Sequence, residues 1–98
     1  MGVRERMSAE QRFDLVISGK VQGVGYRYSV KHKAESLGIS GFVRNQNDGS
    51  VFVAAQGEKP AMEDFVRWCY QGPPTAFVRT IEKIPGTIED FRNFRILY

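Results

Sequence analysis

Apolar residues recur at every second position in the first clearly patterned part of the chain. These residues are Phe13, Leu15 and Ile17, and a period of two is typical of a β-strand with one buried face. Three glycines within positions 19–25 then interrupt the alternation. The pattern therefore predicts a strand that leads into a glycine-rich loop.

The remainder of the chain alternates between runs with the helical period and runs rich in β-branched and aromatic residues. The expected elements are a helix carrying Val30, Ala34 and Leu37 on one face, strands at 39–45 and 51–56, a helix from Pro60 that stops at Gly72, and strands at 76–84 and 94–98. This order predicts an α+β fold, the ferredoxin-like βαββαβ sandwich. In it, two helices cover one face of a four- to five-stranded, mostly antiparallel sheet.

The chain has 98 residues, which suits a single domain. Residues 1–12 are largely polar and show no period, so we expect a flexible extension ahead of a domain that spans 13–98. No apolar run approaches the roughly 18 residues of a membrane span. The single cysteine, Cys69, excludes an internal disulfide. These features predict a cytoplasmic monomer without membrane attachment.

The net charge is +3, from 14 Lys and Arg against 11 Asp and Glu. This surplus favours anionic partners. Because the basic residues are scattered and form no run, the composition argues against a nucleic-acid-binding arm. We therefore expect a small anionic substrate, which needs only one or two of these cations.

The glycine-rich segment 19–27 has the composition of an anion site. A helix N-terminus leaves about four backbone N–H groups unpaired and carries roughly half a positive charge. Gly23 and Gly25 permit the left-handed backbone that turns successive N–H groups toward one centre, and Arg27 adds a guanidinium that matches two phosphate oxygens. A tight turn without a ligand explains the spacing equally well. The nucleotide P-loop does not fit, because no Gly-Lys-Ser/Thr follows, and Tyr28 replaces the third glycine of a dinucleotide loop.

Two motifs resemble the signatures of one enzyme family. Residues 19–27, Gly-Lys-Val-Gln-Gly-Val-Gly-Tyr-Arg, are similar to the first signature of the acylphosphatases. Residues 41–45, Gly-Phe-Val-Arg-Asn, with Gly49, Val51 and Gly57 behind them, are similar to the second signature at its expected spacing. The resemblance extends over about 13–98.

This resemblance implies an enzyme that hydrolyses the carboxyl–phosphate bond of a small acyl phosphate, giving a carboxylate and inorganic phosphate. The backbone that would cradle the phosphoryl group is that of Gln22, Gly23, Val24, Gly25, Tyr26 and Arg27. Arg27 would also neutralise its charge, and Asn45 would orient the attacking water. Since a carboxylate leaves readily, no strong acid is needed, and we expect no metal, no cofactor and no nucleic-acid partner.

Three alternatives accompany this interpretation. The same fold hosts RNA-binding modules, although Gly41-Phe42-Val43-Arg44 is only a fragment of their aromatic-rich basic motif. A second alternative is that the chain is an acylphosphatase-like domain of a larger carbamoyl-transfer maturation enzyme. Asn45, finally, precedes the turn 46–49, where asparagines often bond their own backbone without any catalytic role.

Overall fold

The computed structural model describes residues 10–98. Its elements are β1 (Glu10–Lys20), α1 (Tyr26–Ser36), β2 (Ser40–Asn45), β3 (Val51–Glu58), α2 (Lys59–Gln71), β4 (Phe77–Pro85) and β5 (Phe94–Leu97). All five strands join one sheet in the order β4-β1-β3-β2-β5. Neighbouring strands are antiparallel except β2 and β5, which are parallel. The predicted ferredoxin-like βαββαβ arrangement is confirmed, and β5 adds the fifth strand at one edge.

The core lies between the sheet and its two helices. Leu15, Val53 and Val43 form one row across the three central strands and are fully buried. Val30 from α1 and Phe65 from α2 pack over this face of the sheet. Each such side chain stabilises the fold by about 1.5–3 kcal/mol through burial. The strands' alternation and the helices' spacing therefore direct their apolar faces into a common core.

The opposite face of the sheet is covered by aromatic rings and by the segment that connects β4 to β5. The rings of Phe42 and Phe52 lie 5.9 Å apart between centroids, and Phe91 from the connecting segment meets Phe42 edge-on at 6.2 Å. Arg12 bonds the Glu89 carboxylate at 2.9 Å, which ties β1 to the same segment. These contacts hold the chain against the sheet before it enters β5.

Strand β1 differs from the prediction at both of its ends, while the other strands shift by one or two residues. Strand β1 begins at Glu10, three residues before Phe13, because β3 continues to Glu58 and offers it a partner. Residues 1–9 lie outside the described residues, so the rest of the predicted extension 1–12 stays a prediction. Strand β1 also continues through Gly19 to Lys20, both of which pair with β4. A Cβ at Gly19 would collide with the Phe77 carbonyl, so this glycine serves the sheet and not the loop.

In the described part of the chain, α1 has 11 residues and α2 has 13. Neither is long and apolar enough to cross a membrane.

Candidate active site

The two sequence motifs meet at one edge of the sheet. Strands β1 and β2 are both antiparallel to β3, and β5 is parallel to β2. All three therefore end at the same edge. That end of the sheet brings together the loop after β1, Asn45 at the end of β2 and Tyr98 after β5. Tyr98 lies 76 positions after Gln22 of the loop in the sequence.

The loop that follows β1 leaves backbone N–H groups available at the start of α1. Gly23 and Gly25 have φ angles of 73° and 77°, values that L-residues with side chains rarely adopt. The first internal hydrogen bond of α1 joins the Ser29 N–H to the Gly25 carbonyl at 3.1 Å, so the helix does not use the N–H groups of residues 25–28. No acidic residue occupies its first turn. No carboxylate in this first turn therefore competes with an anion for the helix N-terminus.

The side chain of Gln22 fastens this loop to the hairpin between β2 and β3. Its Nε2 donates to the carbonyl oxygens of Gln46 and Ser50, each at 2.8 Å. Gln46 directly follows Asn45, and Ser50 directly precedes β3. The sequence interpretation assigned only the backbone of Gln22 to the site, whereas the structure shows a side chain that joins its two halves.

The hairpin turn is itself closed by hydrogen bonds. Ser50 donates to the Asp48 carboxylate from both its hydroxyl, at 2.6 Å, and its backbone N–H, at 3.0 Å. These bonds lower the pKa of Asp48. The Gln46 amide donates to the Ser50 hydroxyl at 2.9 Å. The turn that carries Asn45 is therefore a defined structure and not a loose connection.

Asn45 ends β2 opposite Val51 and lies on the helix-covered face, as Val43 does two positions earlier. Its Oδ1 atom is buried and finds no hydrogen-bond partner within residues 10–98. An unpaired buried acceptor costs about 1–3 kcal/mol. Such an atom is expected where a water or ligand supplies the missing donor.

Arg27 is the second residue of α1 and is half-buried. Its guanidinium carbon lies 5.1 Å from the centroid of the Tyr98 ring. Tyr98 follows Leu97, which pairs with Arg44 of β2, so this ring stands one position beyond that pair, level with Asn45. The predicted cation and the predicted water-binding amide therefore share one end of the molecule.

The family model for acylphosphatase matches residues 13–96. The chain belongs to the acylphosphatase family. An acylphosphatase of Acaryochloris marina is 50% identical over 82 residues, which cover 84% of this chain and 88% of that protein. The family predicted from the two motifs is confirmed.

Solved structures agree with this assignment. An acylphosphatase from Coxiella burnetii superposes with a TM-score of 0.89 and 35% identity, covering 95% of this chain and all of that one. Full-length HypF, in a phosphate- and nucleotide-bound form, superposes with a TM-score of 0.85 and 26% identity. That match covers 97% of this chain but 13% of HypF. The acylphosphatase fold thus occurs both nearly alone and within a much longer chain.

Tyr26 contributes only its backbone to the glycine-rich segment 19–27. Its ring is buried, and its hydroxyl donates to the Cys69 carbonyl of α2 at 2.8 Å. Burial raises the pKa of Tyr26 well above its usual range. The ring also stacks on Trp68 at 6.2 Å between centroids. These contacts anchor the first turn of α1, and with it the N–H groups of the loop, to the second helix.

Two contacts of the site lie outside both motifs. The Arg27 guanidinium lies over the Tyr98 ring, and the Thr75 hydroxyl donates to the Val24 carbonyl at 2.7 Å. Thr75 directly follows Gly72-Pro73-Pro74 and Tyr98 ends an alternating strand, but neither pattern indicates a partner near α1, so sequence reasoning missed both contacts. Within residues 10–98, no group of three or more His, Cys, Asp or Glu side chains is placed to hold a metal ion.

Proposed function

We propose that this protein hydrolyses the carboxyl–phosphate bond of small acyl phosphates, using only its own side chains and backbone. The observation that carries the proposal is the pairing of an uncapped, glycine-lined helix end with an Asn45 Oδ1 atom that has no partner in the described part of the chain, at the same end of the sheet. Family membership supports the substrate class. The same two features also suit the roles that the motifs predicted for Arg27 and Asn45.

The phosphoryl group binds at the N-terminus of α1. In phosphoryl transfer the charge spreads over three equatorial oxygens, and catalysis rests mainly on positioning and electrostatic stabilisation. The N–H groups from Gln22 to Arg27 supply donors for these oxygens, and the Arg27 guanidinium supplies a full positive charge. That guanidinium also lies over the Tyr98 ring, 5.1 Å from its centroid, a cation–π contact that keeps it at this end of the sheet.

Asn45 holds the attacking water. Its buried Oδ1 accepts a hydrogen bond from one O–H of the water, and this directs a lone pair of the water toward phosphorus. The water oxygen forms the new P–O bond while the bond between phosphorus and the carboxylate oxygen breaks with its electron pair. The proton of the water passes to a phosphate oxygen of the substrate, so no protein base is consumed.

The leaving group determines which phosphates react. A carboxylate has a conjugate acid with a pKa near 4 and departs without protonation. The alkoxide of a phosphomonoester requires a general acid to protonate it. Neither Arg27 nor Asn45 can serve as that acid at neutral pH, so hydrolysis is restricted to phosphoryl groups with good leaving groups.

Localisation and oligomeric state are the other properties that we propose for the enzyme. We propose a cytoplasmic monomer that acts without a nucleic-acid partner. Gel filtration with light scattering checks the monomer, and a molar mass near twice 11.1 kDa would contradict it.

The reaction is tested by comparing benzoyl phosphate with p-nitrophenyl phosphate, without added metal and again with EDTA. We expect rapid hydrolysis of benzoyl phosphate only, no effect of EDTA, and competitive inhibition by inorganic phosphate. The Arg27→Ala variant should lose nearly all turnover while remaining folded. Equal hydrolysis of both substrates, loss of activity with EDTA, or RNA binding by a protein inert to acyl phosphates would contradict the proposal.

A further inference from the structure

Thr75 contacts the phosphate loop, the proposed phosphate-binding residues 22–27, from a distant part of the chain. It lies between α2 and β4, 51 residues after Val24 in sequence, and its hydroxyl donates to the Val24 carbonyl at 2.7 Å. The segment that carries Thr75 is fixed on both sides. The Gly72 N–H bonds the Trp68 carbonyl at 2.8 Å, and the Ala76 N–H bonds the Pro73 carbonyl at 3.0 Å.

The contact determines which way one peptide group of the loop faces. The peptide between Val24 and Gly25 is planar and trans, so its carbonyl and its N–H point in opposite directions. Because the carbonyl is held on Thr75, the Gly25 N–H is directed away from Thr75. Gly25 is the N-cap residue of α1, so its N–H joins the donors at that helix end.

Glycine makes this peptide easy to rotate. Gly25 has no side chain to restrict its backbone, and an atom at its Cβ position would meet nothing within 4 Å. Rotation of the Val24–Gly25 peptide would replace an N–H donor with a carbonyl oxygen, which repels an anion. The Thr75 hydroxyl is a donor fixed on the Val24 carbonyl, and it prevents that exchange.

We propose that Thr75 is a positioning residue of the phosphoryl site: by binding the Val24 carbonyl, it holds the Gly25 N–H toward the substrate. This inference rests on the proposed function, since it assumes that the loop binds phosphate. Thr75 does not touch the reacting atoms. It acts through the orientation of one peptide group.

Thr75→Val and Thr75→Ser test this inference as a matched pair. Valine keeps the shape of threonine without the hydroxyl, and serine keeps the hydroxyl. We expect Thr75→Val to raise the competitive inhibition constant of inorganic phosphate about three- to tenfold, the value of one hydrogen bond. Thr75→Ser should stay within about twofold of the wild type. Thr80→Val, at an exposed position of β4, is the control and should leave the constant unchanged.

The outcomes separate this inference from the proposed function. If the wild type hydrolyses benzoyl phosphate and phosphate inhibits it equally in Thr75→Val, the inference fails and the proposed function stands. An equal weakening in both Thr75 variants would also overturn it, because serine retains the donor. If the wild type neither hydrolyses acyl phosphates nor binds phosphate, the proposed function fails first. Selective weakening in Thr75→Val, with serine restoring binding, supports the positioning role.

Discussion

At the scale of single residues, Arg27 offers a phosphate a rigid fork of N–H donors that a lysine lacks. Its guanidinium carbon lies over the Tyr98 ring, 5.1 Å from the centroid, which is a cation–π contact. A cation in such a contact has fewer orientations to lose when phosphate binds. Tyr98 is itself 94% exposed, so its ring covers Arg27 without enclosing the site. The arrangement favours a cation that is oriented before the substrate arrives.

Asn45 permits a residue-scale prediction that separates function from stability. Its Oδ1 is buried and unpartnered within the described residues, so Asn45→Ala removes an unsatisfied acceptor and should not lower the free energy of unfolding. The same change removes the group proposed to hold the water. We expect kcat for benzoyl phosphate to fall about a hundredfold, or roughly 3 kcal/mol, by analogy with other single positioned groups.

Steady-state kinetics and urea unfolding of Asn45→Ala check both parts. The structural alternative, in which Asn45 only closes its own turn, predicts the reverse: lower stability and nearly normal kcat. An effect confined to KM would argue against water positioning.

At the scale of elements, Gln22 makes the loop and the hairpin one unit. Its amide satisfies the carbonyls of Gln46 and Ser50, so Gln22→Met, which keeps the length but has no donor, should let the Asn45 hairpin move relative to the phosphate loop. We expect kcat to fall about tenfold. In an Asn45→Ala background the same change should cost much less, because residues that act together are not additive.

A kinetic double-mutant cycle with benzoyl phosphate measures this coupling. Gln46→Ala is the matched control. It removes the hydrogen bond from the Gln46 side-chain amide to the Ser50 hydroxyl but keeps the backbone carbonyl that Gln22 binds. If the losses of kcat in the Gln22 and Asn45 variants were fully additive, the two residues would act separately. The hydrogen bonds from Gln22 to the hairpin would then have no role in catalysis.

The elements also show what the sequence could and could not predict. Alternation at Phe13, Leu15 and Ile17 was sufficient to predict a strand at β1, because the buried face of a strand depends on that strand's own residues. The motifs indicated Arg27 and Asn45 through resemblance, and no periodicity would have brought them to one sheet edge. Thr75 was missed because its partner is 51 residues away, and nothing in its own segment encodes that pairing.

At the scale of the whole molecule, the site depends on the core beneath it. Tyr26 starts the helix whose N-terminus forms the proposed phosphate site, yet its ring is 1% exposed and its hydroxyl reaches the Cys69 carbonyl of α2. The two helices are thus joined directly behind the loop. This junction contains two groups that ionise at high pH, which gives the stability of the fold a predictable pH dependence.

Burial raises the pKa of Cys69 to about 12, from an ordinary value of 9.0, and raises the pKa of Tyr26 above its ordinary value of 10.0. Both groups are neutral when protonated. Between about pH 9 and 12 the unfolded chain therefore loses protons that the folded protein retains. Stability that is fully present below pH 9 is then lost as pH rises, by about 1.4 kcal/mol per pH unit for each group, starting near pH 9 for Cys69 and near pH 10 for Tyr26.

Urea unfolding between pH 7 and 11 measures this loss. The two groups together should lower the free energy of unfolding by about 4 kcal/mol at pH 11, a large part of the 5–15 kcal/mol typical of such domains. Tyr26→Phe and Cys69→Ala should each flatten the alkaline decline, whatever they cost at pH 7, because each removes one proton from the balance. Tyr98→Phe, at an exposed ring, should leave the decline unchanged. A decline equally steep in all three variants would mean that the buried Tyr26–Cys69 junction does not govern alkaline stability.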